Sequence, residues 1–186
     1  MAEQSSLVRL QAEYDVELDW RGFELRPETP KGGILAEKLF PGRYDAMVAR
    51  VEQVARMFGI TTMRRRELMN NTRRAIALAE WARDQGKLHA FREAAMEAYW
   101  HRGENLEDEE VIGRVAEQAG LPARQALAAM DAPEYQARVD ALRAEGNSLG
   151  VSGIPTVFVG NLRVVGAQPY EVYADAARRA GAKPRS

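Results

Sequence analysis

The sequence predicts an α/β protein in which a small sheet is interrupted by a long helical insertion. Three observations carry that expectation. Near the front, Val16, Leu18 and Trp20 alternate with Glu17, Asp19 and Arg21, the period of a strand with one buried face. The middle holds six consecutive segments with helical spacing of apolar residues. Near the end, two β-rich runs, 156–160 and 162–166, flank Gly160-Asn161 and are followed by Pro169 and one more amphipathic stretch.

Each element has its own signal. Residues 6–14 read as the end of a helix, with Leu7, Leu10 and Tyr14 on one face. After the strand at 16–20, Phe23 and Leu25 extend the apolar set beyond Gly22. Two prolines and a double glycine then exclude regular structure at 26–33. The first inserted helix carries the stripe Tyr44, Met47, Val48, Val51, Val54, Ala55 and Phe58, with Gly59 as its C-cap. Asn71 or Thr72 caps a second, bearing Ile76, Leu78, Ala79 and Ala82 and ending near Gly86. Leu88, Phe91, Ala95, Ala98 and Tyr99 mark a third, ending near Gly103. The fourth is expected over 105–119, with Val111, Ile112 and Val115 inward. Pro122 and Pro133 open the fifth and sixth, because proline fits a helix's first turn. The two C-terminal strands pair antiparallel across their short turn. The last helix runs from Pro169 to Arg179, with Val172, Tyr173 and Ala176 facing the sheet, and the tail 181–186 is expected to fray.

Composition narrows the function. The net charge is -1, so nothing global attracts nucleic acid or an acidic membrane. No apolar run approaches the roughly 18 residues of a membrane span, and the N-terminus shows no secretory signal, which makes the cytoplasm the expected location. There is no cysteine, which excludes disulfides, thiolate nucleophiles and cysteine-based metal sites. His89 and His101 are the only histidines and form no metal-binding or triad-like pattern, so neither metal nor cofactor is expected.

Four strings together resemble the DsbA-like oxidoreductase family, and within it the cytoplasmic FrnE-like subgroup near the 2-hydroxychromene-2-carboxylate isomerases. Residues 20–27, Trp-Arg-Gly-Phe-Glu-Leu-Arg-Pro, resemble that subgroup's second strand and following turn. Residues 70–75, Asn-Asn-Thr-Arg-Arg-Ala, resemble the start of an insertion helix. Residues 153–159, Gly-Ile-Pro-Thr-Val-Phe-Val, resemble the cis-proline segment, and 166–170, Gly-Ala-Gln-Pro-Tyr, the approach to the last helix. The resemblance implies a thioredoxin-like core at 1–30 and 150–186, incomplete and interrupted by a helical subdomain at 40–149. It also implies thiol–disulfide exchange, in which a thiolate attacks a substrate disulfide and a partner thiol resolves the mixed disulfide.

The chain departs from that pattern at the front. Family members begin with a central strand and a Cys-x-x-Cys motif ahead of the second strand, whereas only 15 residues precede Val16 here. The catalytic cysteines have no counterpart: at the family's spacing they would fall ahead of Met1. Ser5 and Ser6 come too late in the helix to replace them. The expectation is therefore a redox-inactive, shortened family member. Rearranged N-terminal residues, or a second subunit in a homodimer that swaps an element, compensate for the first strand.

The resemblance also points to candidate binding residues. In the family picture, Pro155 in cis places the backbone of Ile154 where a substrate chain pairs with it, with Thr156 beside it. The alternative is a trans proline at the first residue of a strand. Asn71 and Gln168 lie near positions that touch the thiol in glutathione-using relatives, or else serve as a cap and a turn hydrogen bond. The basic cluster Arg64, Arg65, Arg66, Arg73 and Arg74 reads as a solvated helix flank. The rival functions are a peptide-binding or chaperone-like protein, which takes an extended peptide, and a glutathione-dependent isomerase-like protein, which takes a thiol substrate.

Overall fold

A computed structural model describes residues 4–185. The place expected for the family cysteines, ahead of Met1, lies outside the described residues, as does Met1 itself. The described elements form two buried clusters. The larger is helical. It draws on α4 (Arg73–Asp84), α5 (Leu88–Met96), α6 (Glu109–Gln118), α7 (Ala123–Ala129) and α8 (Pro133–Ser148). Leu78, Phe91, Ile112, Val115, Met130 and Val139 are its closed centre. The smaller cluster packs α1 (Gln4–Glu13) against α9 (Tyr170–Arg179), with Leu7, Leu10, Tyr14 and Tyr173 at its centre. A hairpin of β3 (Thr156–Val159) and β4 (Leu162–Val165) lies on that helix pair through Val157, Val159 and Val164, which are half-buried.

The helix boundaries follow local chemistry. Asp108 starts α6 by accepting a hydrogen bond from the Glu110 N–H, which shortens the helix expected from residue 105. Pro133 occupies the first turn of α8. At α4 the capping carboxamide comes from one residue further back than the helix boundary suggests. Thr72 makes no side-chain cap, while Asn71 Oδ1 accepts the Arg73 N–H at 2.9 Å. Beyond α5 the backbone widens into a π-helical turn, Glu97–Arg102, that ends at Gly103 in the left-handed region.

Two short features escape the sequence pattern. β1 (Ile34–Leu35) and β2 (Leu68–Met69) form an antiparallel ladder with Ile34 opposite Met69. Gly33 allows it. Its φ is 82°, and a Cβ there would lie 2.7 Å from the Met69 carbonyl oxygen. A four-residue helix, α2 (Ala36–Leu39), follows directly, ahead of α3 (Tyr44–Met57).

Two expectations need correction. Residues 16–20 keep the alternation, with Val16, Leu18 and Trp20 half-buried and Glu17 and Asp19 exposed, but they are not a strand of any sheet. The physical reason is the absence of a neighbour: among the described residues, nothing lies alongside to take the backbone groups of 17–19. The segment is held by side chains instead, through Arg83 on the Trp20 carbonyl and on Asp19. Of the three α9 residues expected against the sheet, Tyr173 and Ala176 are buried, while Val172 lines a groove beside β4 and stays 40% exposed. The tail is tied down rather than frayed up to Arg185. The Asp15 N–H donates to the Lys183 carbonyl at 2.8 Å, and the Arg185 N–H to the Glu13 carbonyl at 2.8 Å.

Candidate functional site

The site is built from the hairpin outward. β3 and β4 pair with Thr156 opposite Val165 and Val159 opposite Leu162. The Gly166 N–H donates to the Pro155 carbonyl at 2.8 Å, which continues the same register by one pair. In an antiparallel ladder, bonded and non-bonded pairs alternate. Val157 and Val159 therefore point their backbone groups at β4. Thr156 and Phe158 point theirs the other way, along an edge with no strand beside it among the described residues.

The Ile154–Pro155 peptide bond is cis. Ile154 stands at the start of that edge with 57% of its surface exposed, and among the described residues its backbone groups have no backbone partner. The turn before it is closed by the Thr156 Oγ1, which donates to the Gly153 carbonyl at 2.7 Å. Phe158 is exposed on the same strand, directly across from Arg163, and Arg163 reaches back to the Gly150 carbonyl at 3.0 Å. No ionisable side chain occurs in 151–160. This loop has nothing to take or give a proton, and its chemistry is that of backbone hydrogen bonds and apolar surface.

The other candidate residues divide. Gln168 joins the Pro155 end of the hairpin. Its Nε2 donates to the Val165 carbonyl at 3.0 Å and its N–H to the Tyr173 hydroxyl at 3.3 Å. It also lines a groove of about 530 Å³ between β4 and α9, on the far side of the hairpin from the open β3 edge. Asn71 is not brought there. It donates to the Thr29 carbonyl at 2.6 Å, caps α4 and offers its N–H to Glu107 at 2.7 Å.

Four arginines of the basic cluster, Arg65, Arg66, Arg73 and Arg74, are held by ion pairs or carbonyls. Arg73 meets Glu24 at 3.1 Å and Asp140 at 2.8 Å, and Arg74 meets Asp131 at 2.5 Å. Arg66 lies over the Tyr99 ring and donates to the Tyr99 and Glu104 carbonyls. Among the described residues, no three acidic or histidine side chains gather as a metal site. Two carboxylates that frame the small core titrate low. A hydrogen bond from Arg21, with Arg83 adding to it, holds Asp19 below the usual range. Tyr170, then Arg9, does the same for Glu13.

Known proteins match along nearly the whole chain. The model of the DSBA-like thioredoxin domain covers residues 1–178. The chain belongs to this family. A solved structure of a probable DsbA oxidoreductase from Streptomyces coelicolor is similar at 25% identity, with a TM-score of 0.83, over 97% of this chain and 83% of that one. A 2-hydroxychromene-2-carboxylate isomerase shares the fold at 16% identity and a TM-score of 0.77, over 96% of this chain and 87% of the isomerase. The uncharacterized protein YwbO of Bacillus subtilis is 22% identical over 165 residues, 87% of this chain and 81% of its own. The fold is thus thioredoxin-like α/β with a large helical insertion and few core strands. This DsbA-like chain carries no cysteine motif. No helix among the described residues is long and apolar enough to cross a membrane.

Proposed function

We propose that this DsbA-like chain is a non-catalytic, FrnE-like cytoplasmic protein that docks extended polypeptide along the outer edge of β3. The observation that carries the reading is the open edge itself. Among the described residues, Thr156 and Phe158 present unpaired backbone groups in strand geometry, and Ile154 offers an exposed apolar side chain at the start of that edge. A peptide laid there gains main-chain hydrogen bonds from the edge and specificity from Ile154 and Phe158. Thiol–disulfide exchange needs a thiolate, and this sequence supplies none. The isomerase-like reading is less supported, because the polar groups of Asn71 and Gln168 are engaged within the chain.

The test is binding of a fluorescently labelled, extended apolar peptide, read by anisotropy. Ile154→Asp is expected to weaken it about tenfold, the loss of one exposed apolar anchor of about 1–2 kcal/mol. Affinity is expected to stay flat from about pH 5 to pH 9, since no group in 151–160 titrates there. Binding that Ile154→Asp leaves unchanged would remove this edge as the site. Catalysed insulin reduction by the pure chain would overturn the non-catalytic reading.

A further inference from the structure

The small cluster carries two open lines of backbone. Among the described residues, the backbone groups of 17–19 take no backbone partner, and neither do those that Thr156 and Phe158 turn away from β4. Both lines rest on the same side chains. Leu18 and Trp20 from one, and Val157 and Val159 from the other, pack against the cluster of Leu10 and Tyr173. The two lines also meet at the end of α8. Arg21 reaches Glu145 at 2.5 Å, the Phe23 ring packs on Gly146, and the Val151 N–H donates to the Gly146 carbonyl at 2.9 Å. The chain runs into that point along 16–23 and away from it along 151–159, so the lines have opposite senses. Among the described residues no backbone hydrogen bond joins them. Two open edges over one apolar cluster are what a single strand needs to bond along both of its sides.

The flanking side chains say what such a strand carries. Since the inward residues of both lines cover one cluster, Glu17, Thr156 and Phe158 share the outward face. Asp19 on that face is already shared by Arg21 and Arg83. Glu17 is exposed and, among the described residues, has no ion pair. Arg163, the cation across from Phe158, is turned to the Gly150 carbonyl. A lysine or arginine on the outward face of an added strand therefore has a free carboxylate on one side and an exposed aromatic ring on the other. Its inward residues meet Leu18 and Val157, which favours β-branched side chains there.

We propose that an extended peptide of alternating apolar and basic residues enters as a strand between 16–20 and β3, bonded on both sides. This deepens the docking reading and rests on it: edge docking uses one side of the peptide backbone, and insertion uses both.

Anisotropy with short labelled peptides of alternating valine and lysine tests it. Successive residues of a strand turn their backbone groups to opposite sides. Two peptides are compared, one methylated at a central amide nitrogen and one at the next. Each is expected to bind about fivefold more weakly than the parent, because each loses a hydrogen bond to a different neighbour. A valine–glutamate peptide is expected to bind about threefold more weakly than valine–lysine, and Glu17→Lys to reverse that order. Glu134→Lys, an equal change of charge at the other end of α8, leaves the order as it is. If only one of the methylated peptides loses affinity, the peptide lies on β3 alone, so insertion is overturned and edge docking stands. An order that Glu17→Lys leaves unchanged overturns the proposal as well. If no peptide binds, edge docking itself falls, and a sedimentation mass of twice 20.8 kDa would then give the gap to a second copy.

Discussion

Glu24 is the residue on which the front of the chain is anchored to the helices. Its side chain is 3% exposed, with Arg73 at 3.1 Å and Arg143 at 3.8 Å. Arg73 also reaches Gln136 and Asp140, so one carboxylate joins the segment after Trp20 to both α4 and α8. Breaking a buried pair by removing one partner costs more than the pair contributes, because the remaining charge is stranded. The arginines here keep partial water access and other partners, which reduces the loss. Glu24→Gln is expected to lower unfolding stability by about 2 kcal/mol, read by urea denaturation at constant m-value. A change within experimental scatter would mean that water already screens the arginines. Nothing in the sequence around Glu24 marks it as buried. Its partners Arg73 and Arg143 come from distant helices. The role of Asn71 was half legible for a related reason. A cap is a local device and can be read locally, whereas its bond to Thr29 depends on how the 26–33 turn folds back.

At the scale of elements, close approach explains what periodicity does not. Gly146 lies within α8, where alanine would ordinarily be favoured by about 1 kcal/mol. A Cβ there would meet the Phe23 ring at 2.5 and 2.7 Å. The segment carrying Phe23 is thus docked against the bare backbone of α8. Gly22 makes the same kind of contact with Ile76 of α4, at 2.5 Å. Overpacking of this kind costs about 1–3 kcal/mol and outweighs the propensity gain. Gly146→Ala is expected to lower the melting temperature, and Phe23→Leu in the same chain to recover part of the loss. A melting temperature raised by Gly146→Ala alone would mean that the ring moves aside at no cost. The helices, the hairpin and the last helix were legible because their signals are local: spacing, caps and a short turn. The segment 16–20 carries an equally clear local signal, yet a strand needs a neighbour. Alternation predicts which side chains turn inward and is silent on whether a ladder exists. The β1–β2 ladder was hidden for the opposite reason: two residues per strand leave no period to read.

The molecule as a whole divides its burial unevenly. The helical cluster closes completely around Leu78, Ile112, Val115 and Met130. The thioredoxin-like part has a closed centre at Leu10 and Tyr173, but Val16, Leu18, Trp20, Val157 and Val164 around it remain half-buried. The edge that Thr156 and Phe158 leave open among the described residues, and the backbone at 17–19 that is unpaired among them, belong to the same region. The arrangement that makes the β3 edge available to a peptide therefore also withholds cross-strand hydrogen bonds and apolar cover from it. Regions with few closed apolar contacts and exposed backbone bonds open at lower free energy than the global transition. Native-state amide exchange is expected to show this order. The amides of β3 and β4 exchange through sub-global openings, about 2 kcal/mol or more below those of α4 and α6. Saturating peptide slows the hairpin amides and leaves α4 and α6 unchanged. Equal protection of hairpin and helices in the free chain would mean that the small core is as cooperative as the large one. The open edge would then carry none of the looseness that a missing neighbour confers.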